Sequence, residues 1–146
     1  MHKVFGTKED VEYLHREGAY LVPIRDGKVG VIRTAKGFFF IGGGVDAGET
    51  DEECILRECL EETGCSAQVG RRVCSAESYG KHAQIGYFHP IQTYYLGALC
   101  EREQAPAEED HRLVWVEYSD LRGKMHVEMQ NWALEQCRGA SRELID

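Results

Sequence analysis

The chain has 146 residues, of which 42% are hydrophobic and 29% charged, values that are ordinary for a globular protein. Its formal net charge of −8 argues against a long nucleic acid as the main ligand, because polyanions are bound by clustered Lys and Arg side chains. A small anionic substrate is compatible with this charge if metal ions supply positive charge locally. The length is typical of one domain, and we expect residues 1–146 to form it.

Residues 1–8 contain no apolar stretch that resembles a signal peptide, and no other run approaches the length of a membrane span. The six cysteines include no CxxC pair and no Cys/His metal spacing. We therefore expect a cytoplasmic protein whose cysteines are reduced, mostly buried and without a catalytic role.

The first predicted elements are a hairpin and a capped helix. Residues 19–24 and 29–32 are β-rich and are joined through Asp26 and Gly27, a good hairpin signal. The short apolar run 38–41 and three glycines follow, and a helix is then predicted from about residue 51 to residue 63. Thr50 and Glu53 have the spacing of a capping box at its start, and Gly64 supplies the C-terminal stop.

The second half of the chain is predicted to contain more strands and a closing helix. Strand-like segments lie at 67–76, 91–99 and 113–116, and an acidic loop, 101–110, precedes the last of them. The order of elements predicts an α/β fold, a mixed sheet with helices on both faces. The closing helix is indicated by apolar residues at i, i+4, i+7, i+8 and i+12, namely Met125, Met129, Trp132, Ala133 and Cys137.

Three glutamates crowd one face of the first predicted helix. At about 100° per residue, Glu62 and Glu61 lie about 40° and 60° to either side of Glu58. Leu56 and Leu60 fall on the opposite face, which we expect to meet the core. Like charges at these spacings repel, and such a face is most often simply solvated.

The same acidic face is also what a site for a hard divalent cation requires, because carboxylate and carbonyl oxygens are the natural ligands of such ions. The glycines at 42–44 would permit an irregular turn before the helix. That turn could bring a backbone carbonyl and the Glu49 side chain to the same place.

The stretch from Gly42 to Cys65 resembles the Nudix box. The box reads glycine, five residues, glutamate, seven residues, then Arg-Glu-(hydrophobic)-x-Glu-Glu-x-Gly-(hydrophobic). With common residues at roughly one in ten per position, a chance match at every characteristic position arises about once in ten million windows. Ile41 replaces the frequent Pro, and Cys59 and Cys65 replace aliphatic residues, which we expect to alter packing only. The matching residues are Gly43, Glu49, Arg57, Glu58, Glu61, Glu62 and Gly64.

The resemblance implies a Nudix-type α/β/α sandwich with a mixed β-sheet. It also implies a hydrolase that cleaves a phosphoanhydride of a nucleoside diphosphate-linked substrate by metal-activated water, with Mg²⁺ as cofactor and Mn²⁺ as the alternative. Arg57 would orient the carboxylates, and Glu61 would act as ligand or water-positioner. The implied metal-binding residues are Gly42 through its carbonyl, Glu49, Glu58, Glu61 and Glu62, and the implied catalytic residues are Glu58, Glu61, Arg57 and Glu109.

The general base is open, because some family members use a box glutamate and others a loop before a late strand. Glu108 and Glu109 lie in such a loop, although a solvated acidic loop is the commoner meaning of such residues. Arg16, Arg25 and Arg33 are candidates for holding a distal phosphate, with a surface charge as the more frequent alternative. Four aromatic residues are candidates for stacking a base, with core packing preferred for the last two: Tyr79, Phe88, Tyr94 and Trp132.

The substrate is open among a nucleoside triphosphate, modified or not, a dinucleoside polyphosphate and a nucleotide sugar. Gly80 stands where ADP-ribose pyrophosphatases tend to carry Pro, and Tyr79 is close to the Tyr of diadenosine polyphosphate hydrolases without matching it. The alternative function is a catalytically silent nucleotide sensor, whose usual mark, a degraded box, is not found. An isomerase or a decapping relative is less favoured, and the resemblance is compatible with a homodimer.

Overall fold

The computed structural model describes residues 1–107 and 110–145, with side chains as far as Arg142. Within these residues the chain forms a large sheet with helices on two faces. The strands are β1 (His2–Phe5), β2 (Leu14–Arg25), β3 (Lys28–Thr34), β4 (Gly37–Phe39), β5 (Ile41–Gly44), β6 (Cys65–Ser78), β7 (Gly80–His82), β8 (Gly86–Arg102) and β9 (Arg112–Glu117), and the helices are α1 (Asp51–Thr63), α2 (Tyr118–Leu121) and α3 (Glu128–Ile145).

The sheet is mixed, as the order of elements predicts. Its main path is β1-β6-β8-β2-β3-β4, while β5 pairs with β2, β7 with β8 and β9 with β3. The pairs β1–β6 and β2–β8 are parallel, and the remaining pairs are antiparallel. The prediction of an α/β fold with a mixed sheet is confirmed.

Two hydrophobic cores cover the two faces of the sheet. Successive residues of β2 point to opposite faces, so that Leu21 packs with Ile55 of α1, and Val22 packs with Met129 and Leu134 of α3. Strand β2 therefore lies between both helices, and its residues reach both sides of the molecule.

The local signals at the hairpin and at α1 are confirmed. Asp26 and Gly27 have φ values of 53° and 76°, the left-handed pair that a tight two-residue hairpin turn needs. The Thr50 hydroxyl accepts from the Glu53 N–H, and the Glu53 carboxylate accepts from the Thr50 N–H, both at 3.1 Å. Gly64 ends the helix with φ 76°.

The cysteines are mostly buried, as predicted: all six are free thiols and Cys100 alone among them is exposed. Burial raises the pKa of Cys54 to about 11 and that of Cys59 to about 11, so both are protonated at neutral pH and are poor nucleophiles. In the described part of the chain, helices are either too short or too polar to cross a membrane.

The predicted core face of α1 was wrong. The buried apolar residues are Cys54, Ile55 and Cys59, whereas Leu56 and Leu60 are only half-buried. The reason is that the helix turns its acidic side toward the glycines of β5, where the lack of a side chain at Gly43 leaves room for the Glu58 carboxylate. A hydrophobic pattern alone could not reveal this orientation, because it assumes that carboxylates face solvent.

Two further expectations need correction. The glycines at 42–44 do not form an irregular turn but belong to strand β5, which pairs with β2 from Ile41 to Gly44. Met125 precedes α3 and forms an isolated bridge with Phe38, although its side chain is buried as expected. Met125 has the spacing of a helical core residue, but it lies before the first residue of α3.

Gly42 should not tolerate a side chain. Its φ is 148°, and a Cβ would lie 2.2 Å from the carbonyl oxygen of Ala19. We expect Gly42→Ala to lower the free energy of unfolding by about 3 kcal/mol or more. Gly139→Ala is the matched control: nothing lies within 4 Å of its Cβ in α3, so it should raise that free energy by about 0.5–1 kcal/mol. Urea denaturation of both variants measures this, and equal stabilities would contradict the strand geometry.

Candidate active site

Strand β5 and helix α1 bring the box glutamates against a strand of glycines. A Cβ added to Gly43 would lie 2.8 Å from the carboxyl carbon of Glu58. The backbone N–H of Gly42 donates to Glu62 Oε1 at 2.9 Å. The Glu58 carboxylate therefore occupies the space that a side chain at residue 43 would otherwise fill, and the Glu62 carboxylate is held by the backbone of β5.

These carboxylates are not a solvated surface. The side chains of Glu62 and Glu58 are 7% and 16% exposed, while that of Glu61 is 42% exposed. An ionised carboxylate is removed from water at a large cost unless hydrogen bonds or positive charges compensate for it. The burial of Glu58 and Glu62 thus requires partners, and it distinguishes the site from an ordinary acidic helix face.

Arg57 supplies most of the compensation for the acids around it. Its Nε and Nη2 donate to the two oxygens of Glu49 at 2.8 and 2.9 Å, and its Nη1 donates to Glu58 Oε1 at 2.9 Å. Nη2 also donates to the carbonyl of Gly44 at 3.1 Å. Nη1 also lies 3.6 Å from Glu61 Oε1. The Arg57 hydrogen bonds, followed by one from the Asp46 N–H, lower the pKa of Glu49 to about 2.

A second group of polar residues surrounds Glu62. His111 Nδ1 lies 3.5 Å from Glu62 Oε2, and both line a cavity of about 410 Å³ together with Gly42, Tyr20 and Lys36. Burial, then the nearby Glu62 and Glu58, raise the pKa of Tyr20 well above its usual range. Tyr20 is therefore a neutral phenol at physiological pH.

Sequence reasoning missed His111. The residue follows the acidic loop and stands just before β9, so its position gave no motif or periodicity to recognise. The pairing of β9 with β3 places His111 near the glutamates of α1. That pairing joins segments far apart in the chain, so the residues around His111 do not predict it.

The donor set suits a hard divalent cation, because the carboxylates of Glu58, Glu61 and Glu62 and the backbone carbonyls of β5 are all oxygen ligands. In the arrangement of the described residues, however, no three His, Cys, Asp or Glu side chains converge on one ion. Both oxygens of Glu49 are engaged by Arg57, which fits a supporting role better than direct ligation. Glu108 and Glu109, the candidate base loop, lie outside the described residues.

The remaining candidates divide between binding and packing roles. Arg16 lies beside Gly44, and Phe88 lines a neighbouring cavity. Arg25 stacks over Trp115 at 4.5 Å, as a surface cation would.

Among the aromatic candidates, Tyr94 is fully buried in the core, as expected. The other aromatic candidates pack locally, with Tyr79 stacked on His89 and Trp132 against Phe5.

The contact between Glu49 and Arg57 predicts a pH-dependent contribution to stability. Because the folded pKa of Glu49 lies below its usual value, its contribution is complete above about pH 4.5 and is lost as the pH falls toward 2. In metal-free buffer, the difference in Tm between the wild type and Glu49→Gln should therefore be largest near pH 6 and shrink below pH 4.5. Glu52→Gln, which changes an exposed carboxylate of the same helix, is the control. A gap between the wild type and Glu49→Gln that stays constant down to pH 2.5 would contradict this account.

Comparison with known proteins agrees with this geometry. A family model described as NUDIX domain matches residues 14–136. Among solved structures, the MutT NUDIX hydrolase from Burkholderia pseudomallei is 26% identical, with a TM-score of 0.70 over 84% of this chain and 98% of that one.

Two further solved structures share the fold. A NUDIX hydrolase from Nitrosomonas europaea is 16% identical, with a TM-score of 0.72 over 86% of this chain and 89% of that one. The ORF135 protein from E. coli is 24% identical, with a TM-score of 0.60 over 87% of this chain and 91% of that one. No curated protein matches the chain. On the family match and the geometry of the glutamate helix, the chain belongs to the NUDIX family and is a Nudix hydrolase.

Proposed function

We propose that the chain is a divalent-cation-dependent pyrophosphohydrolase that cleaves a phosphoanhydride bond in a substrate linked to a nucleoside diphosphate. Mg²⁺ is the proposed cation, with Mn²⁺ as the alternative. The observation that carries the proposal is the burial of Glu58 and Glu62 against the glycines of β5, where Arg57 donates to Glu58, the Gly42 N–H donates to Glu62 and His111 lies 3.5 Å from Glu62. Buried carboxylates in excess of nearby cations favour a bound divalent ion.

Glu58, Glu62 and the Gly42 carbonyl are the proposed ligands, with Glu61 as ligand or water-positioner. Arg57 holds Glu58 in position through a charge-assisted hydrogen bond. Mg²⁺ bound there supplies neutralisation of phosphate charge and lowers the pKa of a coordinated water. The N–H of Gly42 fixes one oxygen of Glu62 and so limits the rotation of this carboxylate. The chain thus contributes oxygen ligands of which those of Glu58 and Glu62 are already held by hydrogen bonds.

The proton acceptor is proposed to be Glu61, with Glu109 as the alternative. Glu61 is the most exposed of the three clustered helix glutamates and has a longer contact with Arg57, 3.6 Å, than Glu58 has, 2.9 Å. It is therefore the least restrained of these carboxylates and the most accessible to a water molecule. Lys36 and His111 line the cavity beside Glu62 and can contact phosphate oxygens.

The phosphoanhydride bond is present in all three candidate substrate classes, namely nucleoside triphosphates, modified or not, dinucleoside polyphosphates and nucleotide sugars. The organisation of residues 1–146 as one domain, a cytoplasmic location and a homodimer stay predictions.

Hydrolysis of a nucleotide panel tests the function directly. Purified protein is incubated with each substrate class in buffer with Mg²⁺, with Mn²⁺ or with EDTA, and released phosphate, pyrophosphate and monophosphate are separated by ion-exchange chromatography. We expect product from at least one class only when a divalent cation is present. No metal-dependent product from any class would contradict the proposal and favour the sensor.

Glu62→Gln should abolish turnover while the fold survives. An amide oxygen at this position can still accept from the Gly42 N–H, whereas the negative charge offered to the cation is lost. We expect kcat to fall by about 100-fold or more. Glu52→Gln removes one exposed carboxylate from the same helix and should keep wild-type activity. A folded Glu62→Gln variant with near wild-type kcat, by circular dichroism and product release, would exclude Glu62 as a ligand.

A further inference from the structure

A second cavity, of about 350 Å³, lies on the α3 face of the sheet and is lined by Phe5, Arg16, Phe88, Gln92 and Met129, among others. Tyr20 lines this cavity as well as the one that contains Glu62, so the two adjoin at its side chain. We refer to the α3-face cavity as the base cavity. Its volume is at the lower end of the range of ligand pockets, about 300–1,000 Å³.

The hydrogen-bond polarity of the base cavity is set by the backbone. The N–H of Phe40 can only donate, and it donates to Gln130 Oε1 at 3.1 Å. Gln130 must then present its amide nitrogen to Gln92, and Nε2 donates to Gln92 Oε1 at 3.1 Å. The Tyr94 hydroxyl donates to the same Gln92 oxygen at 2.7 Å. Two donors therefore fix the orientation of the Gln92 amide.

Gln92 consequently turns its amide nitrogen toward Tyr20 and the cavity. Nε2 donates to the Tyr20 hydroxyl oxygen at 3.4 Å. An amide nitrogen has two N–H groups, and the hydrogen bonds of the described residues engage only one of them. The floor of the cavity therefore offers the second N–H of Gln92 as a hydrogen-bond donor.

The walls of the base cavity are suited to a flat group. The rings of Phe5 and Phe88 are half-buried along it, and Met129 of α3 adds an adaptable apolar surface. Arg16 lies at the end nearest the glycine strand, where its guanidinium approaches Gly44. Glu17 and Glu128 also line the cavity, and both are exposed. Their negative charge disfavours a phosphate beside them, so Arg16 is the lining residue suited to contact a phosphate.

We propose that the base cavity binds the nucleobase of the substrate and that Gln92 selects bases with a keto oxygen over bases with an amino group at the same ring position. This inference rests on the proposed function and adds the substrate class to it. A keto oxygen accepts a hydrogen bond from the free N–H of Gln92. An amino group would instead place its own N–H against that N–H, and both donors would lack an acceptor. The phosphates then pass Arg16 and Tyr20 toward Glu58 and Glu62.

The test compares UTP with CTP and ITP with ATP, because the members of each pair differ in a keto or an amino group at one ring position. In Mg²⁺ buffer, wild-type kcat/KM should favour UTP and ITP by about 10-fold. Gln92→Met removes the donor while filling a similar volume, and it should bring the ratio close to one. Gln84→Glu, a change at an exposed position of the β7–β8 hairpin, should leave the ratio as in the wild type. Equal rates within each pair for the wild type, or an unchanged preference in Gln92→Met, would overturn the inference while leaving the hydrolase assignment intact.

A binding measurement keeps the two proposals separable. UMP and CMP are titrated into ¹⁵N-labelled wild-type protein, and the side-chain amide resonances of Gln92 are followed by NMR, which requires no turnover and no variant that must fold. We expect these resonances to shift with UMP at concentrations at which CMP leaves them in place. An absence of any shift with either nucleotide, or equal shifts with both, refutes the inference. The absence of hydrolysis in the panel would refute only the proposed function.

Discussion

The site depends on the fork of hydrogen bonds that Arg57 makes. Without it, Glu49 and Glu58 would face each other and Glu61 as unshielded like charges within a few turns of chain. A guanidinium is planar, permanently charged and carries five N–H groups, so it can bind both oxygens of Glu49, one of Glu58 and the Gly44 carbonyl together. An ammonium is a point charge and could not hold these groups in one geometry. Arg57 therefore orders the acidic cluster without neutralising it, which leaves an excess of negative charge for the proposed cation to balance.

The three glycines of β5 complete this arrangement, each for a different steric reason. Gly42 has no room for a side chain because the backbone of Ala19 and Tyr20 approaches it. Gly43 leaves the space that Glu58 occupies, and Gly44 leaves the space that the Arg16 guanidinium occupies on the other side. The space beside Gly43 and Gly44 is thus filled by side chains of other elements, a carboxylate from α1 and a guanidinium from β2. Close approach, more than chain flexibility, explains the glycines.

Much of this could be predicted from sequence, and the failures have a common physical cause. The hairpin at Asp26–Gly27 and the caps of α1 depend on neighbouring residues, so local patterns sufficed to predict them. The orientation of α1 depends on what its acidic face meets, and that partner is a strand brought by the sheet topology. The same holds for His111 near Glu62 and for Gln92 near Gln130, contacts between residues far apart in the chain. Patterns within one helix contain no information about such partners.

Residues 40–44 connect the two halves of the proposed function. The N–H of Phe40 sets the direction of the Gln130 and Gln92 amides on the α3 face, while the N–H of Gly42 holds the Glu62 carboxylate. The two donors are only two residues apart on one segment of backbone. Gln92, proposed to select the base, and Glu62, proposed to bind the cation, are therefore both positioned by this segment. A displacement of this segment would misalign both at once. Because each donor is a backbone N–H, no side-chain rotamer change of residues 40–44 can uncouple them. In the proposed function, this segment would set the spacing between the base and the cleaved bond.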